Sequence, residues 1–319
     1  MVTPDDLLDL PLEGDHAVPP TERRLPASRG LDDAGALGVL QLLNAEDRVA
    51  VDAVAAVLPQ LAVLVDEAAE RMRRGGAVHY FGAGTSGRLG VLDAAELLPT
   101  FNLEPDRVVG HIAGGERALV RAVEDAEDSA EAGRDAAAGL GPDDVAIGLA
   151  ASGNTPYVGG ALAAAREAGA RTALVSSNPD AAFGALVDHN IVLETGPEVV
   201  TGSTRLKAAT AEKLVLNGFS TALMVALGRT WSNLMVSVVA TNEKLRRRTV
   251  RILMQATGID EAGARTLLDA ADGELKTAIV ARIAETDVAE ARRRLAAAAG
   301  SVRDALAAPA APPPPASAH

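Results

Sequence analysis

Two carboxylates in this 319-residue chain stand where helices would otherwise carry apolar side chains. At about 100° per residue, Glu96 falls between Leu89 and Leu92 on the helix expected after Gly87, so a carboxyl group is aimed where leucines point. Glu127 lies four residues after Val123 and seven after Val120, whereas Glu124 and Asp128 project toward the polar side. Both acids are therefore expected on inward faces. Burial penalises the charged form of a carboxyl group, so one acid could donate a proton near neutral pH while a better solvated one stays ionised as a base. Solvated acids on ordinary surface helices are the alternative reading.

Loops rich in glycine and hydroxyls offer a second kind of chemistry. Gly82-Ala83-Gly84-Thr85-Ser86-Gly87 joins an expected strand to an expected helix and fits the spacing GxGxxG. A dinucleotide site also needs an acid near the end of the second strand, and Val108 to Ile112 runs instead into Ala113-Gly114-Gly115. NAD is thus not the expected ligand. Backbone N–H groups at a helix start, with the hydroxyls of Thr85 and Ser86, suit an anion such as a sugar phosphate. Ser152, Gly153, Asn154 and Thr155 echo the loop after a later strand, and Thr201 to Lys207, with Ser203, Thr204, Arg205 and Lys207, makes a third place for anion or substrate contact. Simple helix capping is the alternative for each. His16, His79, His111, His189 and His319 are scattered without metal-ligand spacing, so no metal is expected, and His79 and His111 read as hydrogen-bonded strand residues.

The elements that must position these groups follow from periodicity. Ala77 to Phe81, Val108 to Ile112, Val145 to Leu149, Thr172 to Ser176 and Asn190 to Glu194 are short apolar runs separated by helical patterns. Such alternation predicts a parallel sheet with helices on both faces. Asp32 to Arg74 reads as two or three helices, broken near Asn44 to Asp47 and at Pro59. Ser203 to Leu227 and Leu234 to Ala256 are long apolar stretches that suggest a helical layer shared with a partner subunit. Three or four short amphipathic helices are expected between Asp260 and Ala307, and residues 1–20 and 308–319 read as disordered tails.

Composition narrows the function classes. A net charge of −13 opposes phosphate neutralisation, so nucleic acid is not an expected partner. One Trp, two Tyr and four Phe leave no stacking platform, so a sugar would be held by hydrogen bonds. No apolar run approaches the ~18 residues of a membrane span. Cysteine is absent, which removes disulfides, thiolate ligands and cysteine nucleophiles. The acidic first residues do not read as a secretory signal, and the cytoplasm is the expected location.

Five segments taken together resemble a known family: FGAGTSGRLGVLDAAE (81–96), HIAGGERALVRAVEDAEDS (111–129), ASGNTPYV (151–158), VVTGSTRLKAATAEKLVLN (199–217) and NLMVSVVATNEKL (233–245). From about Thr21 to about Leu306 the chain resembles the N-acetylmuramic acid 6-phosphate etherases. The resemblance implies an α/β fold: a flavodoxin-like sugar isomerase (SIS) domain with a five-stranded parallel sheet and flanking helices over 21–257, its core at about 68–231, then a small UBA-like helical subdomain over 258–307. It further implies a homodimer, no metal or organic cofactor, and cleavage of the D-lactyl ether at C3 of N-acetylmuramate 6-phosphate. Glu96 matches the family's proton donor and Glu127 its second catalytic acid/base. Gly84, Thr85, Ser86, Ser152, Gly153, Asn154, Thr155, Ser203, Thr204 and Lys207 are the implied substrate and phosphate contacts. Three positions depart from the family pattern: Asn154 where many relatives carry Arg, Leu25 in the early motif, and Leu97-Leu98 in place of a small residue and proline. A non-catalytic sugar-phosphate regulator similar to glucokinase regulatory protein is the second reading, and it would need neither acid.

Overall fold

Each of the five apolar runs becomes a strand in the computed structural model, which describes residues 18–238, 240 and 242–307. Strands β1 (Val78–Gly82), β2 (Val108–Ile112), β3 (Val145–Leu149), β4 (Arg171–Ser176) and β5 (His189–Val192) pair in parallel in the order β2-β1-β3-β4-β5. Val78 pairs with both Val108 and Val145, which sets β1 between its neighbours without stagger. All five residues of β3 are buried, as a strand covered on both faces requires. This doubly wound order reverses between β1 and β3, and ligands bind such sheets at the carboxyl ends of the strands beside that reversal. The loops after β1 and β3 are the two glycine- and hydroxyl-rich loops.

The chain divides into two compact units. The first takes residues up to Ala95 and Asp106–Thr221 and holds the sheet. Its first helix, α1 (Gly35–Arg73), corrects the expectation of two or three helices: it runs unbroken for 39 residues through Pro59. Proline removes one backbone hydrogen bond and crowds the preceding turn, but Pro59 is exposed and Ala- and Leu-rich turns flank it. Length and composition alone would allow α1 to cross a membrane, yet Ala50, Val54, Leu61, Leu64, Ala68 and Met72 form a stripe buried within the chain. Helix α2 (Gly84–Phe101) follows β1, the single turn α3 (Arg117–Val120) follows β2, and α4 (Ala130–Ala136) precedes β3. Helix α5 (Pro156–Glu167) meets α4 at backbone distance, because a Cβ on Gly160 would stand 1.9 Å from the Ala130 carbonyl oxygen and one on Gly133 would stand 1.9 Å from that of Tyr157. Helix α6 (Lys207–Ala226) begins in the first unit.

The second unit takes Glu96–Pro105 and the chain from Ala222. Its helices are α7 (Glu243–Thr257), α8 (Glu261–Ala270), α9 (Leu275–Ile283), α10 (Val288–Ala297) and α11 (Val302–Ala307), packed through Leu253, Leu268, Leu275, Ile279, Ala291 and Val302. The helix expected from Leu234 starts instead at Glu243, because Leu234 bridges to Trp231 and the Asn242 side chain accepts from Leu245 N at 2.9 Å, capping α7. Asp260 and Asp287 cap α8 and α10 in the same way, at 2.8 Å and 2.7 Å. The tails expected over 1–20 and 308–319 lie outside the described residues except for Val18 to Pro20, of which Pro20 opens a 3-10 turn ending at Glu22.

Candidate active site

The first loop is built by glycines that admit close contact. Gly84 takes φ +52°, and a Cβ on Gly87 would stand 2.6 Å from the Gly82 carbonyl oxygen and 2.7 Å from Ile112 Cγ1. Only glycine lets the first turn of α2 sit this low on β1 and β2. The turn presents Thr85 and Ser86, both half-buried, and the Ser86 hydroxyl donates to Glu212 Oε1 at 3.1 Å.

The second loop has a comparable build. Gly153 takes φ +69°, where a Cβ would meet Ala181 Cβ at 2.3 Å. Asn178 donates to the Ser152 carbonyl at 3.0 Å, Ser152 Oγ accepts from Asn154 N at 3.2 Å, and Asn154 Oδ1 accepts from Ala182 N at 2.7 Å. Thr155 precedes α5 without a side-chain cap bond, so its hydroxyl is not committed to capping. The loop is thereby fixed from behind while Thr155 keeps a free donor.

A cavity of about 400 Å³ opens beside the first loop, lined by Gly84, Arg88, Val123, Glu124, Glu127 and Asp128 among others. Arg88 is anchored through Nε to the Leu119 carbonyl at 3.1 Å, which places its guanidinium among these acids. Glu127 stands here, but the helix that was to aim it does not exist. Helix α3 ends at Val120, which is 82% exposed, and Glu127 lies in a 3-10 turn, Ala126–Asp128. That turn starts from Asp125 at φ +59°, a left-handed conformation that Asp tolerates better than most residues. A turn, not a helix phase, puts Glu127 into the cavity, and its side chain is exposed rather than buried.

Glu96 is also exposed, twelve residues beyond Gly84 on α2, and it does not line this cavity. The helix presents a different face inward. Gly90, Asp93 and Leu97 are buried, while Leu92 and Leu98 are 47% and 53% exposed. Asp93 is thus the inward acid of α2: it accepts from Tyr80 at 3.1 Å and Ser220 at 3.2 Å and pairs with Lys213 at 3.4 Å. Burial raises its pKa, and Lys213 with the two hydroxyls pulls it back.

The third segment is placed differently again. Ser203 and Thr204 are half-buried in the turn before α6, while Lys207 is 2% exposed with its ammonium on Glu46. Glu198 is fully buried and accepts the backbone N–H groups of Lys207 at 3.2 Å and Ala208 at 2.9 Å, so a carboxyl group caps α6 from within the chain. Burial raises the Glu198 pKa and these N–H groups oppose the rise. His79 and His111 bond each other at 3.0 Å, and burial lowers both pKa values, that of His111 to about 4. Asp93, Glu198 and Glu212 were not singled out from sequence. For Asp93 and Glu212 the signal was an acid three or four residues from Gly90 and Leu97, or from Ala208, Ala209, Val215 and Leu216, all of which are buried; Glu198 lies outside any helix and carried no such signal. Among the described residues no group of three or more His, Asp or Glu could hold a metal ion.

The family model for the glucokinase regulatory protein N-terminal SIS domain matches residues 60–166. An N-acetylmuramic acid 6-phosphate etherase of Thermobifida fusca is 55% identical over 82% of this chain and 86% of its own length. One from Cutibacterium acnes is 52% identical over 90% and 95%. A phosphoheptose isomerase structure from Francisella tularensis aligns at 16% identity and a TM-score of 0.45, covering 58% of this chain and 95% of its own. At 55% and 52% identity to the two etherases, over most of both chains, the protein belongs to the N-acetylmuramic acid 6-phosphate etherase family.

Proposed function

We propose that the chain cleaves the D-lactyl ether at C3 of N-acetylmuramic acid 6-phosphate by elimination and then water addition, giving N-acetylglucosamine 6-phosphate and D-lactate. The observation that carries this reading is Glu127, held in the cavity by the Asp125 turn beside the first loop, in a chain 55% identical over 82% of its length to an etherase. The opened sugar has an aldehyde at C1, which acidifies the proton at C2. Glu127 removes that proton, and the electron pair passes into the enolate. Lactate leaves as the ether oxygen takes a proton from Glu96, and the C3–O bond breaks to give an unsaturated aldehyde. Water then adds at C3 with the two acids exchanging roles. The phosphate is remote from the reacting atoms and anchors the open chain, so its binding energy is used to align C2 and C3 with the acids. Thr85, Ser86, Ser152, Gly153, Asn154 and Thr155 are its assigned contacts, with Gly84, Ser203 and Thr204 at the margins. Lys207 serves through its pair with Glu46 rather than as a free cation.

The enzyme acts as a homodimer in the cytoplasm on this reading. Exposed Leu92 and Leu98 flank Glu96 on α2, and apolar side chains left bare in this way mark a face for a second copy. Glu96 then completes the cavity of the partner. A regulator has less support, since the regulatory-protein model matches 60–166 whereas etherases match most of the chain. The deciding experiment follows D-lactate release from N-acetylmuramic acid 6-phosphate in H₂¹⁸O for the wild type and Glu127→Gln. Release with ¹⁸O at C3 of the sugar, lost in the variant, is expected. Binding of the sugar phosphate without release would overturn the reading in favour of a sensor.

A further inference from the structure

Behind the first loop, the interior holds a carboxyl group for which the described residues provide a hydroxyl and no cation. Glu212, on α6, is 1% exposed; its Oε1 accepts from Ser86 at 3.1 Å and its Oε2 is buried without a hydrogen-bond partner. The other charged side chains on the two helices involved are occupied elsewhere or, in the case of Glu96, exposed. Arg88 bonds the Leu119 and Arg121 carbonyls, Asp93 takes Tyr80, Ser220 and Lys213, and Lys207 pairs with Glu46. Burial raises the Glu212 pKa to about 7, and the Ser86 hydroxyl is the opposing influence.

A serine hydroxyl has one proton to give. While Glu212 is ionised, that proton is held on Oε1, so Ser86 turns lone pairs toward the loop and meets an anion as an acceptor. Once Glu212 is protonated, its own O–H donates to Ser86 Oγ, and the Ser86 proton is released to point outward. We propose that Glu212 is a positioning residue whose protonation converts Ser86 from acceptor to donor, so that the phosphate dianion of the sugar binds together with one proton taken up from solvent. The proposal rests on the reading of Ser86 as a phosphate contact. Geometry gives it its direction, because a buried negative charge one hydroxyl away from a dianion is unfavourable twice, through repulsion and through the misdirected proton.

The test measures KM and kcat from pH 6 to 8.5, and calorimetric binding of N-acetylglucosamine 6-phosphate, for the wild type, Glu212→Gln and Ser86→Ala. The glutamine amide donates to Ser86 at every pH, so Glu212→Gln serves as the reference that divides out the ionisation of the phosphate itself. With a pKa of about 7, roughly 3% of Glu212 is protonated at pH 8.5, so wild-type KM should rise by up to about 30-fold relative to Glu212→Gln, with kcat following the same profile in both. A wild-type KM that tracks Glu212→Gln across the range, while Ser86→Ala is weakened at pH 6, would overturn the role of Glu212 alone. Ser86→Ala binding as tightly as wild type at pH 6 would overturn Ser86 as a phosphate contact. Should Glu212→Gln fail to fold, the wild type decides the matter alone. At pH 8, where the ligand is already a dianion, calorimetry in buffers of different ionisation enthalpy should show uptake of about one proton per site, and none would overturn the proposal.

Discussion

Glu212 ought to make the protein less stable as the solution turns from acid to neutral, and the size of that effect follows from its surroundings. In the unfolded chain this carboxyl group ionises near 4.5, whereas burial holds it protonated to about 7 in the fold. Between these two values unfolding releases a proton, so the stabilisation due to the protonated group is complete below 4.5, declines as pH rises to 7 and stays lost above it. A shift of this size is worth about 3 kcal/mol at 1.36 kcal/mol per unit. Glu212→Gln removes the titration while keeping a donor for Ser86, and burying the amide with one bond costs about 1 kcal/mol of that gain. Urea denaturation midpoints at pH 5, 6, 7 and 8 should therefore show the variant gaining on the wild type up to pH 7, levelling at about 2 kcal/mol above it. A difference that is flat from pH 5 to 8, or that grows toward acid, would refute the argument that this carboxyl group is buried without a charge partner.

Other consequences are as direct. His111, with its pKa lowered to about 4 by burial and His79, contributes stability that is full above pH 6.5 and declines as pH falls toward 4, so His111→Phe should flatten the acid limb of the same denaturation series. Gly160→Ala drives a Cβ into the Ala130 carbonyl, and since both atoms belong to packed helices a loss of about 3 kcal/mol is expected by thermal or urea unfolding. Asp260→Ala and Asp287→Ala each remove a helix cap and should cost about 1 kcal/mol, read as small and additive falls in melting temperature. Glu96→Gln and Glu127→Gln, each inactive alone, should recover about a quarter of wild-type lactate release when refolded together, because half the dimers are mixed and each carries one intact site. No recovery would place both acids in one chain's site.

Some of this was legible in the order of residues. The runs at Val108 to Ile112 and Val145 to Leu149 are strands with the bounds read from the sequence; the second, buried on both faces, is written as an unbroken apolar run, while the first, at the sheet edge, is buried at its two ends, Val108 and Ile112, which were enough to mark it. The glycine loops were legible for a related reason: positive φ at Gly84 and Gly153 and backbone contact at Gly87 leave few other residues admissible. Helix phase was not legible in α2. Leu89 and Leu92 looked like the inward stripe, yet Leu92 is exposed, and glycine at position 90 hides the true inward face because it has no side chain to count. Pro59 misled in the opposite direction, since a break was read where solvent exposure lets the helix continue.

By itself the sequence determined the alternation of strands and helices, the two loops that face the end of the sheet, and the family, since these depend on local pattern and on motifs a few residues long. Tertiary structure decided where each acid stands. Glu127 enters its cavity by a left-handed turn at Asp125, Lys207 is held in an ion pair with Glu46 from 161 residues away, and Glu212 meets Ser86 across 126 residues. Burial and the partner it brings are properties of contacts between distant segments, and the protonation state of a carboxyl group follows from those contacts.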